Sequence, residues 1–329
     1  MTLRIAVLTA DESVPGMNAA IRGVTRRALE YGWQVMGLCN GESSLITCDF
    51  ISLSAGTVDG MIPWGGSLLD YVDSRELLTE SGKQIALRRL SDAKIDALII
   101  IGGAEAVEGA LALAQLGFKT NVVAASVEND LYGFDTTIGM DSALNAALET
   151  IDEQKMTCAV DEYLCFVEVA GRRCGYLALL AAIVGGADGF VIPEVETTLE
   201  QIADDLQAAS DAGCSCPVIV VAEGAGFSAY RLRRHFNGDI VGRRAKIARL
   251  SHSQRRAAPS AFDRILGMRL GAAAVDALAD GEGGVVVGLC HGEAHSLPLA
   301  EVAGRTRELD TELLHLGKIF ARQLSILGQ

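Results

Sequence analysis

A hydroxyl and two carboxylates follow one apolar segment of the chain. Residues 122–125 are apolar, and the polar sequence Ser126-Val127-Glu128-Asn129-Asp130 comes directly after them. A hydroxyl and carboxylates crowded at one point can hold a general base. The pattern therefore favours proton-transfer chemistry centred on Ser126, Glu128 and Asp130, and an ordinary polar loop is the alternative.

Groups that suit an anionic sugar occur at three further places. In Gly171-Arg172, a glycine precedes an arginine, as in clamps for anions. Glu223 follows another apolar segment and could accept hydrogen bonds from sugar hydroxyls. His252 and Arg255, beside Lys246, form a basic cluster in an otherwise acidic chain. A solvated basic face is the alternative interpretation of that cluster.

Two turns resemble phosphate-binding loops but carry carboxylates. Gly102-Gly103 precedes a helical pattern, as in loops whose backbone approaches a phosphate. Glu105 stands in the first turn of that helix, where simple capping of the helix dipole is the alternative. The segment Asp11-Glu12-Ser13 lies at another such junction, before a helix that we expect to be capped by Asn18.

These residues lie at the ends of apolar segments that alternate with helical patterns. Continuous apolar strands that alternate with helices predict an α/β fold with parallel sheets buried on both faces. Ligands of such sheets bind beyond the carboxyl ends of the strands. The predicted strands cover 5–8, 35–38, 97–101, 122–125, 164–169, 190–193, 218–222 and 285–289, and the predicted helices 18–31, 105–116, 140–154, 198–212 and 264–279.

Composition narrows the class of protein. The chain has 329 residues and a formal net charge of -14, so it is long enough for two lobes and too acidic to favour nucleic acid or an anionic membrane as a partner. Neither a signal peptide nor an apolar run of about 18 residues is evident, and we expect a cytoplasmic protein.

The eight cysteines are expected to be buried free thiols. Several of them lie within apolar segments. Cys214-Ser215-Cys216 lacks the C-x-x-C spacing and a nearby histidine, so no metal site is predicted there.

Several motifs, taken together and in order, resemble the phosphofructokinase A family over nearly the whole chain. The resemblance implies two lobes, each with a mainly parallel sheet between helices, and the glycolytic phosphorylation of fructose 6-phosphate with magnesium and usually ATP. It also implies a nucleotide lobe of residues 1–140 plus about 257–305, and a sugar-phosphate lobe of 141–256 plus about 306–329. The motifs are RIAVLT…PGMNAAIRGVTRRAL, DALIIIGG, END…TTIG…AL…ID, FVEVAGRRCG, PEVE and FDRILGMRLG.

The resemblance gives the sugar-phosphate residues individual roles. Glu128 stands where the family has its catalytic aspartate, and Ser126 where it has a threonine next to the transferred phosphoryl group. Asp130 and Arg172 match family residues. The extra methylene of Glu128 shifts the carboxylate by about an ångström, and a misplacement of that size can cost about 100-fold in rate.

The resemblance also covers the phosphate end of the sugar. Glu223 matches a sugar-binding glutamate, and His252 and Arg255 match residues that grip the 6-phosphate. Lys246 and Tyr163 replace two arginines that reach this phosphate across a subunit interface. Lysine keeps the charge without the guanidinium fork, and tyrosine removes the charge.

The nucleotide side departs from the family pattern. Asp11-Glu12-Ser13 replaces Gly-Gly-Asp, and Asp73 replaces an arginine that reaches the nucleotide phosphates. Ala104 replaces the aspartate that binds magnesium, and Glu105 places a carboxylate where the phosphates would lie. Since like charges repel, ordinary binding of ATP with magnesium is not expected.

The bacterial effector site is only partly matched. Arg22, Arg26 and Asp188 match it, and Lys155 replaces an arginine. The basic stretch that binds the effector's phosphates aligns with residues 212–216, which carry no basic side chain. Allosteric control by ADP or phosphoenolpyruvate is therefore not expected.

Our leading expectation is a degenerate member of the family, impaired or inactive in ATP-dependent transfer, which binds a sugar phosphate without a metal or cofactor. It would be a regulatory or structural pseudoenzyme, either a homotetramer or a hetero-oligomer with an active paralogue. The alternative is an active 6-phosphofructokinase that uses magnesium and ATP at a rebuilt donor site, with Glu128 as base. A phosphatase-like or altered-donor activity and a pure interaction protein are further possibilities.

Overall fold

Two sheets organise the chain into two units. The computed structural model describes residues 2–10, 12–39, 49–71, 74–161, 163–238 and 242–321. The first unit comprises Met1–Ser142 and Arg255–Arg307, and the second Ala143–Gln254 and Glu308–Gln329. The assignment of a nucleotide to one unit and of a sugar phosphate to the other stays a prediction.

Each predicted strand is present, together with strands that the apolar pattern does not predict. The strands are β1 (Arg4–Thr9), β2 (Gln34–Cys39), β3 (Asp49–Leu53), β4 (Ala97–Gly102), β5 (Thr120–Ala124), β6 (Tyr163–Val169), β7 (Gly189–Val191), β8 (Val218–Ala222), β9 (Arg244–Arg249), β10 (Val285–Cys290) and β11 (Glu293–Pro298).

The helices include the five that the sequence predicts. Within the described ranges, none of them is both long and apolar enough to cross a bilayer. They are α1 (Met17–Glu30), α2 (Ala55–Val58), α3 (Glu80–Asp92), α4 (Ala104–Ala114), α5 (Met140–Asp161), α6 (Tyr176–Val184), α7 (Leu199–Asp211), α8 (Ala229–Phe236), α9 (Ser251–Arg256), α10 (Ala261–Ala279), α11 (Leu299–Val302) and α12 (Thr311–Phe320), with a 3₁₀ helix at Ser74–Leu78.

The sheet of the first unit has the order β11-β10-β5-β4-β1-β2-β3. Its inner strands are parallel, and β3 and β11 add antiparallel edges. The apolar inner strands are buried, whereas β3 and β11 are half exposed and mix polar with apolar residues. A continuous apolar segment therefore predicts the centre of this sheet but not its edges.

The sheet of the second unit has the order β7-β8-β6-β9 and is parallel throughout. Its core includes Phe166 on β6 and Phe236 on α8. The edge strand β9 carries the sequence RAKIAR, and its charged side chains hide it from a search for apolar segments. Two mainly parallel sheets with helices confirm the predicted α/β fold class.

Helices α1 and α10 pack at very close range. A Cβ added to Gly271 would lie 2.4 Å from the carbonyl oxygen of Ala20, and one added to Gly23 would lie 2.5 Å from that of Met268. Real Cβ atoms do not approach backbone oxygens so closely, so only glycine fits at either position. These contacts fix the start of α1, which follows the segment at residues 11–13.

The cap of α1 differs from the prediction. Gly16 is the N-cap, with a left-handed φ of 96°, and Asn18 lies one position inside the helix. The Asn18 side chain instead bridges a neighbouring turn, where it donates to the Trp64 carbonyl at 3.2 Å and accepts from the Leu68 N–H at 2.7 Å. The positive φ of the N-cap favours glycine, which has no side chain to accept from the first N–H groups of the helix.

The prediction of free thiols is wrong for two cysteines. Cys158 at the end of α5 and Cys216 before β8 form a disulfide across 58 residues of sequence, with Cα atoms 5.3 Å apart. Among the described cysteines, the remaining five are free, and three of them are buried. A pairing over this separation leaves no local pattern, so only the fold reveals it.

Candidate active site

Ser126, Glu128 and Asp130 lie together on the loop that follows β5. The Ser126 hydroxyl donates a 2.7 Å hydrogen bond to Oδ1 of Asp130, and the Glu128 N–H donates to the same hydroxyl oxygen at 3.2 Å. Glu128 and Asp130 are each 6% exposed. The segment is thus a built cluster with a buried carboxylate and not an ordinary solvated loop.

The backbone of this loop is tightly specified. Ser126 donates its N–H to the Ile138 carbonyl at 3.0 Å, and the Thr137 hydroxyl donates to the Ser126 carbonyl at 2.6 Å. Asn129 adopts a positive φ of 52°, which asparagine tolerates better than most residues. Its side chain donates to the Asp135 carbonyl at 3.2 Å. Several independent hydrogen bonds therefore fix the backbone on either side of Glu128.

Arg307 donates hydrogen bonds to the loop that carries Glu128. Its N–H donates to the Asp130 carbonyl at 2.9 Å. Its guanidinium donates to the carbonyls of Phe134 at 2.8 Å and Asp135 at 2.6 Å. One arginine from the end of the first unit thus satisfies three carbonyl groups around the cluster.

Asp263 supports the start of α5, directly after the loop. This carboxylate is fully buried and accepts from the N–H groups of Gly139 and Ser142, both at 2.8 Å, and from the Ser142 hydroxyl at 2.5 Å. Burial raises the pKa of Asp263 to about 6, against the opposing effect of these hydrogen bonds. Asp263 caps α5 and so positions Ile138, the partner of Ser126.

The turn between β4 and α4 contains Gly102 and Gly103, and Gly103 is the N-cap of α4. A Cβ added to Gly102 would lie 2.7 Å from Cβ of Ala106, and one added to Gly103 would lie 3.8 Å from Cβ of Ser126. The turn therefore lies beside the Glu128 loop. Ala104 begins α4, and half-buried Glu105 occupies its first turn.

Glu12 and Arg255 form an ion pair within the first unit. Oε2 of Glu12 lies 2.7 Å from Nε of Arg255, and the two side chains are 30% and 15% exposed. The sequence predicts each residue as a separate phosphate neighbour and does not predict that they contact one another. Two further acidic substitutions, Asp11 and Asp73, lie outside the described residues.

Arg172 and Glu223 follow adjacent strands of the second unit. Gly224 donates its N–H to the Gly171 carbonyl at 2.9 Å, and a Cβ on Gly224 would collide with the Arg172 carbonyl oxygen. The two loops therefore touch through their backbones, with Arg172 exposed and Glu223 half buried. The fold thus brings together the loops that carry these two separately predicted residues.

Lys246 lies over the ring of Tyr163. Its Nζ is 3.5 Å from the ring centroid, in cation–π geometry. The family that the sequence resembles has arginine at both positions. The Tyr163 ring therefore provides an aromatic face for the cation that remains at Lys246. His252 falls within α9, and its side chain lies outside the described part of the structure.

The effector-like residues make structural contacts in both units. Arg22 and Arg26 pair with Asp59 at 3.7 and 2.6 Å, and the hydrogen bond from Arg26 lowers the pKa of that carboxyl. Lys155 donates to the Gly185 carbonyl at 2.7 Å, at the end of α6. Asp188 accepts from the Val218 N–H at 3.0 Å, at the start of β8.

The described residues include no candidate metal centre, and a small cavity lies on α8. Among the described residues, no group of three or more histidine, cysteine, aspartate or glutamate side chains could bind a metal ion. A cavity of about 210 Å³ lies on α8, lined by Tyr230, Arg233, Arg234 and Asn237. It contains none of the predicted site residues.

Sequence reasoning missed Asp263 and Arg307 as supports of the Glu128 loop. Asp263 lies in the motif FDRILGMRLG, three residues after its N-cap Ser260, and this spacing is the available signal of a helix cap. Arg307 has no local signal, because its partners lie more than 170 residues away in sequence.

Known proteins match this chain over most of its length. The family model described as Phosphofructokinase matches residues 4–278. The chain is 40% identical over 324 residues to ATP-dependent 6-phosphofructokinase 1 of Thermus thermophilus, which covers 97% of this chain and 99% of that protein. It is 37% identical to the ATP-dependent 6-phosphofructokinase of Clostridioides difficile, over 96% of this chain and 99% of that protein.

Solved structures share the fold. Pichia pastoris phosphofructokinase in the T-state superposes with a TM-score of 0.84 at 26% identity; the match covers 99% of this chain and 40% of that longer chain. A pyrophosphate-dependent phosphofructokinase from Marinobacter aquaeolei gives a TM-score of 0.81 at 20% identity, with 94% of this chain and 86% of that chain covered.

Proposed function

Because the chain belongs to the phosphofructokinase family, we propose that it binds fructose 6-phosphate and transfers a phosphoryl group to its 1-hydroxyl, with Glu128 as the base. The main support for this proposal is that Glu128 is buried on a loop whose backbone is fixed by hydrogen bonds of Ser126, Thr137 and Asn129. A base held in one direction by its backbone is what transfer from a hydroxyl requires. The relatives named ATP-dependent 6-phosphofructokinase support this proposal.

Each of the described site residues has a proposed role in this phosphoryl transfer. Glu128 accepts the proton of the attacking hydroxyl, and Asp130 orients Ser126 through their 2.7 Å hydrogen bond. In the second unit, the Arg172 guanidinium binds a phosphoryl oxygen and Glu223 accepts from sugar hydroxyls. Positioning and charge stabilisation are the main contributions that a protein makes to phosphoryl transfer.

The donor half does not fit a magnesium nucleotide bound by the family's residues. Ala104 has no carboxylate to bind the ion, although Gly102 and Gly103 still precede the helix. Glu105 adds a negative charge in the helical turn that would face the donor phosphates. We therefore assign no step to magnesium and leave the donor, ATP or pyrophosphate, to experiment.

The second candidate is a catalytically impaired paralogue that retains sugar-phosphate binding. The first turn of α4 favours this candidate. Ala104 provides no carboxylate to attract magnesium, and the Glu105 carboxylate repels the phosphates of a donor. Such a chain would act as a regulatory or structural subunit. Its assembly, as a homotetramer or with an active paralogue, and its cytoplasmic location stay predictions.

Calorimetric titration of the purified chain separates the candidates. We expect fructose 6-phosphate to bind, and fructose to bind much more weakly because it lacks the phosphate. Separate titrations with ATP and magnesium and with pyrophosphate identify the donor. Binding of the sugar phosphate without either donor supports the impaired paralogue, and absence of sugar-phosphate binding contradicts both candidates.

A further inference from the structure

Glu12 forms an ion pair with Arg255, the residue whose guanidinium is expected to bind the sugar phosphate. Oε2 of Glu12 lies 2.7 Å from Nε of Arg255, and the Arg255 side chain is only 15% exposed. An ion pair shielded from solvent to this degree is screened less than one between fully exposed side chains. The Glu12 carboxylate therefore competes with a ligand phosphate for the Arg255 guanidinium.

The backbone holds the two residues in place. Glu12 donates its N–H to the Ala10 carbonyl at 2.9 Å, directly after β1. A Cβ added to Gly65 would lie 2.4 Å from the Arg256 carbonyl oxygen, and one added to Gly66 would lie 3.1 Å from Oγ of Ser13. The Gly65-Gly66 turn thus lies against both the Glu12 segment and the end of α9.

We propose that Glu12 is a specificity-determining residue that stands in for the substrate phosphate in the ligand-free protein. This inference rests on the proposed function, since Arg255 is the expected contact of the 6-phosphate. A guanidinium binds carboxylate and phosphate through the same fork of N–H donors. A phosphate dianion carries more charge than Glu12 and displaces it, whereas a weaker anion does not.

Displacement has a measurable consequence. The free energy of the Glu12–Arg255 pair is lost when the sugar phosphate binds, so the pair weakens the affinity of the wild-type chain. The family's glycine at this position carries no carboxylate and would impose no such competition. Removal of the Glu12 charge should therefore tighten binding of the phosphorylated sugar and leave binding of fructose unchanged.

The test is calorimetric titration of the full chain with fructose 6-phosphate. For Glu12→Gln and Glu12→Gly we expect a Kd about fivefold lower than that of the wild type, which corresponds to about 1 kcal/mol. Glu80→Gln is the matched control, since it removes an exposed carboxylate that forms an ion pair with the mostly buried Lys83 on α3. Its Kd should equal that of the wild type.

A double substitution shows whether the effect acts through Arg255. Arg255→Gln should weaken binding, and in that background Glu12→Gln should have no further effect. Equal Kd values for the wild type and both Glu12 variants would overturn this inference and leave the proposed function intact, as would a gain that persists without Arg255. Absence of binding in every variant, with circular dichroism showing that each is folded, would overturn both.

Discussion

Asp263 accepts two hydrogen bonds from Ser142, one from its N–H at 2.8 Å and one from its hydroxyl at 2.5 Å. The carboxylate lies on α10 and the serine in the first turn of α5, so this contact joins the two helices behind the Glu128 loop. Because Asp263 is fully buried, its pKa is raised from 3.8 to about 6. The contact therefore links stability to pH.

The sign of that linkage gives the first prediction. A carboxyl whose pKa is raised by folding binds more protons in the native state, so its contribution to stability grows as the pH falls from about 6 to 3.8. Asp263→Asn removes this contribution and places an amide N–H₂ against N–H donors, which should cost about 2 kcal/mol at pH 7. Urea unfolding should show a gap between wild type and variant that widens on acidification; a gap that narrows would contradict the raised pKa.

The disulfide gives the second prediction. Cys158→Ser and Cys216→Ser should each lower the free energy of unfolding under oxidising conditions by about 2–4 kcal/mol, since the bond closes a long loop. Cys290→Ser, at a free and partly exposed cysteine, is the matched control. After treatment with a reductant, wild type and variants should converge. A wild type whose eight cysteines all react with an alkylating agent without reductant would contradict the bond.

Close packing of α1 on α10 gives the third prediction. Gly271→Ala forces a Cβ against the Ala20 carbonyl oxygen at 2.4 Å, and we expect a loss of about 1–3 kcal/mol in the free energy of unfolding. Gly56→Ala in α2 is the control, because the nearest atom to its added Cβ is 3.9 Å away. Urea unfolding measures both, and equal stabilities would show that the helices can move apart without cost.

The donor turn gives the fourth prediction. The double variant Ala104→Asp/Glu105→Gly restores a carboxylate for magnesium and removes the opposing charge at the start of α4. Calorimetry should show at least a tenfold gain in affinity for ATP, about 1.4 kcal/mol, that depends on magnesium. Glu108→Gln, one turn further along α4, should give no such gain. An unchanged ATP affinity in the double variant would show that other residues weaken the donor site.

Apolar patterning was sufficient to predict the inner strands and the α/β class, because strands covered on both faces need continuous apolar sequence. It could not predict β9, whose Lys246 and neighbouring arginines lie at a sheet edge. The sequence predicts Ser126, Glu128 and Asp130 on one loop, and the structure adds the hydrogen bonds that connect the Ser126 hydroxyl to the other two residues.

Contacts between residues that lie far apart in the sequence cannot be predicted from local patterns. Glu12 and Arg255 are separated by most of the chain, and the sequence predicts each of them only as a charge beside a phosphate. The pairing of Cys158 with Cys216 leaves no local pattern for the same reason, and the N-cap that the sequence predicts at Asn18 is Gly16 in the structure. A local pattern identifies a residue's chemistry, whereas its partner is chosen by the fold.

The most direct test is turnover of fructose 6-phosphate, with ATP and magnesium or with pyrophosphate, by the wild type and by Glu128→Gln and Glu128→Asp. We predict fructose 1,6-bisphosphate from the wild type, a loss of at least about 100-fold in kcat for Glu128→Gln at unchanged Tm, and retained turnover for Glu128→Asp. Unchanged kcat in Glu128→Gln would contradict Glu128 as the base. A wild type that forms no product with either donor would contradict phosphoryl transfer itself and leave the impaired paralogue.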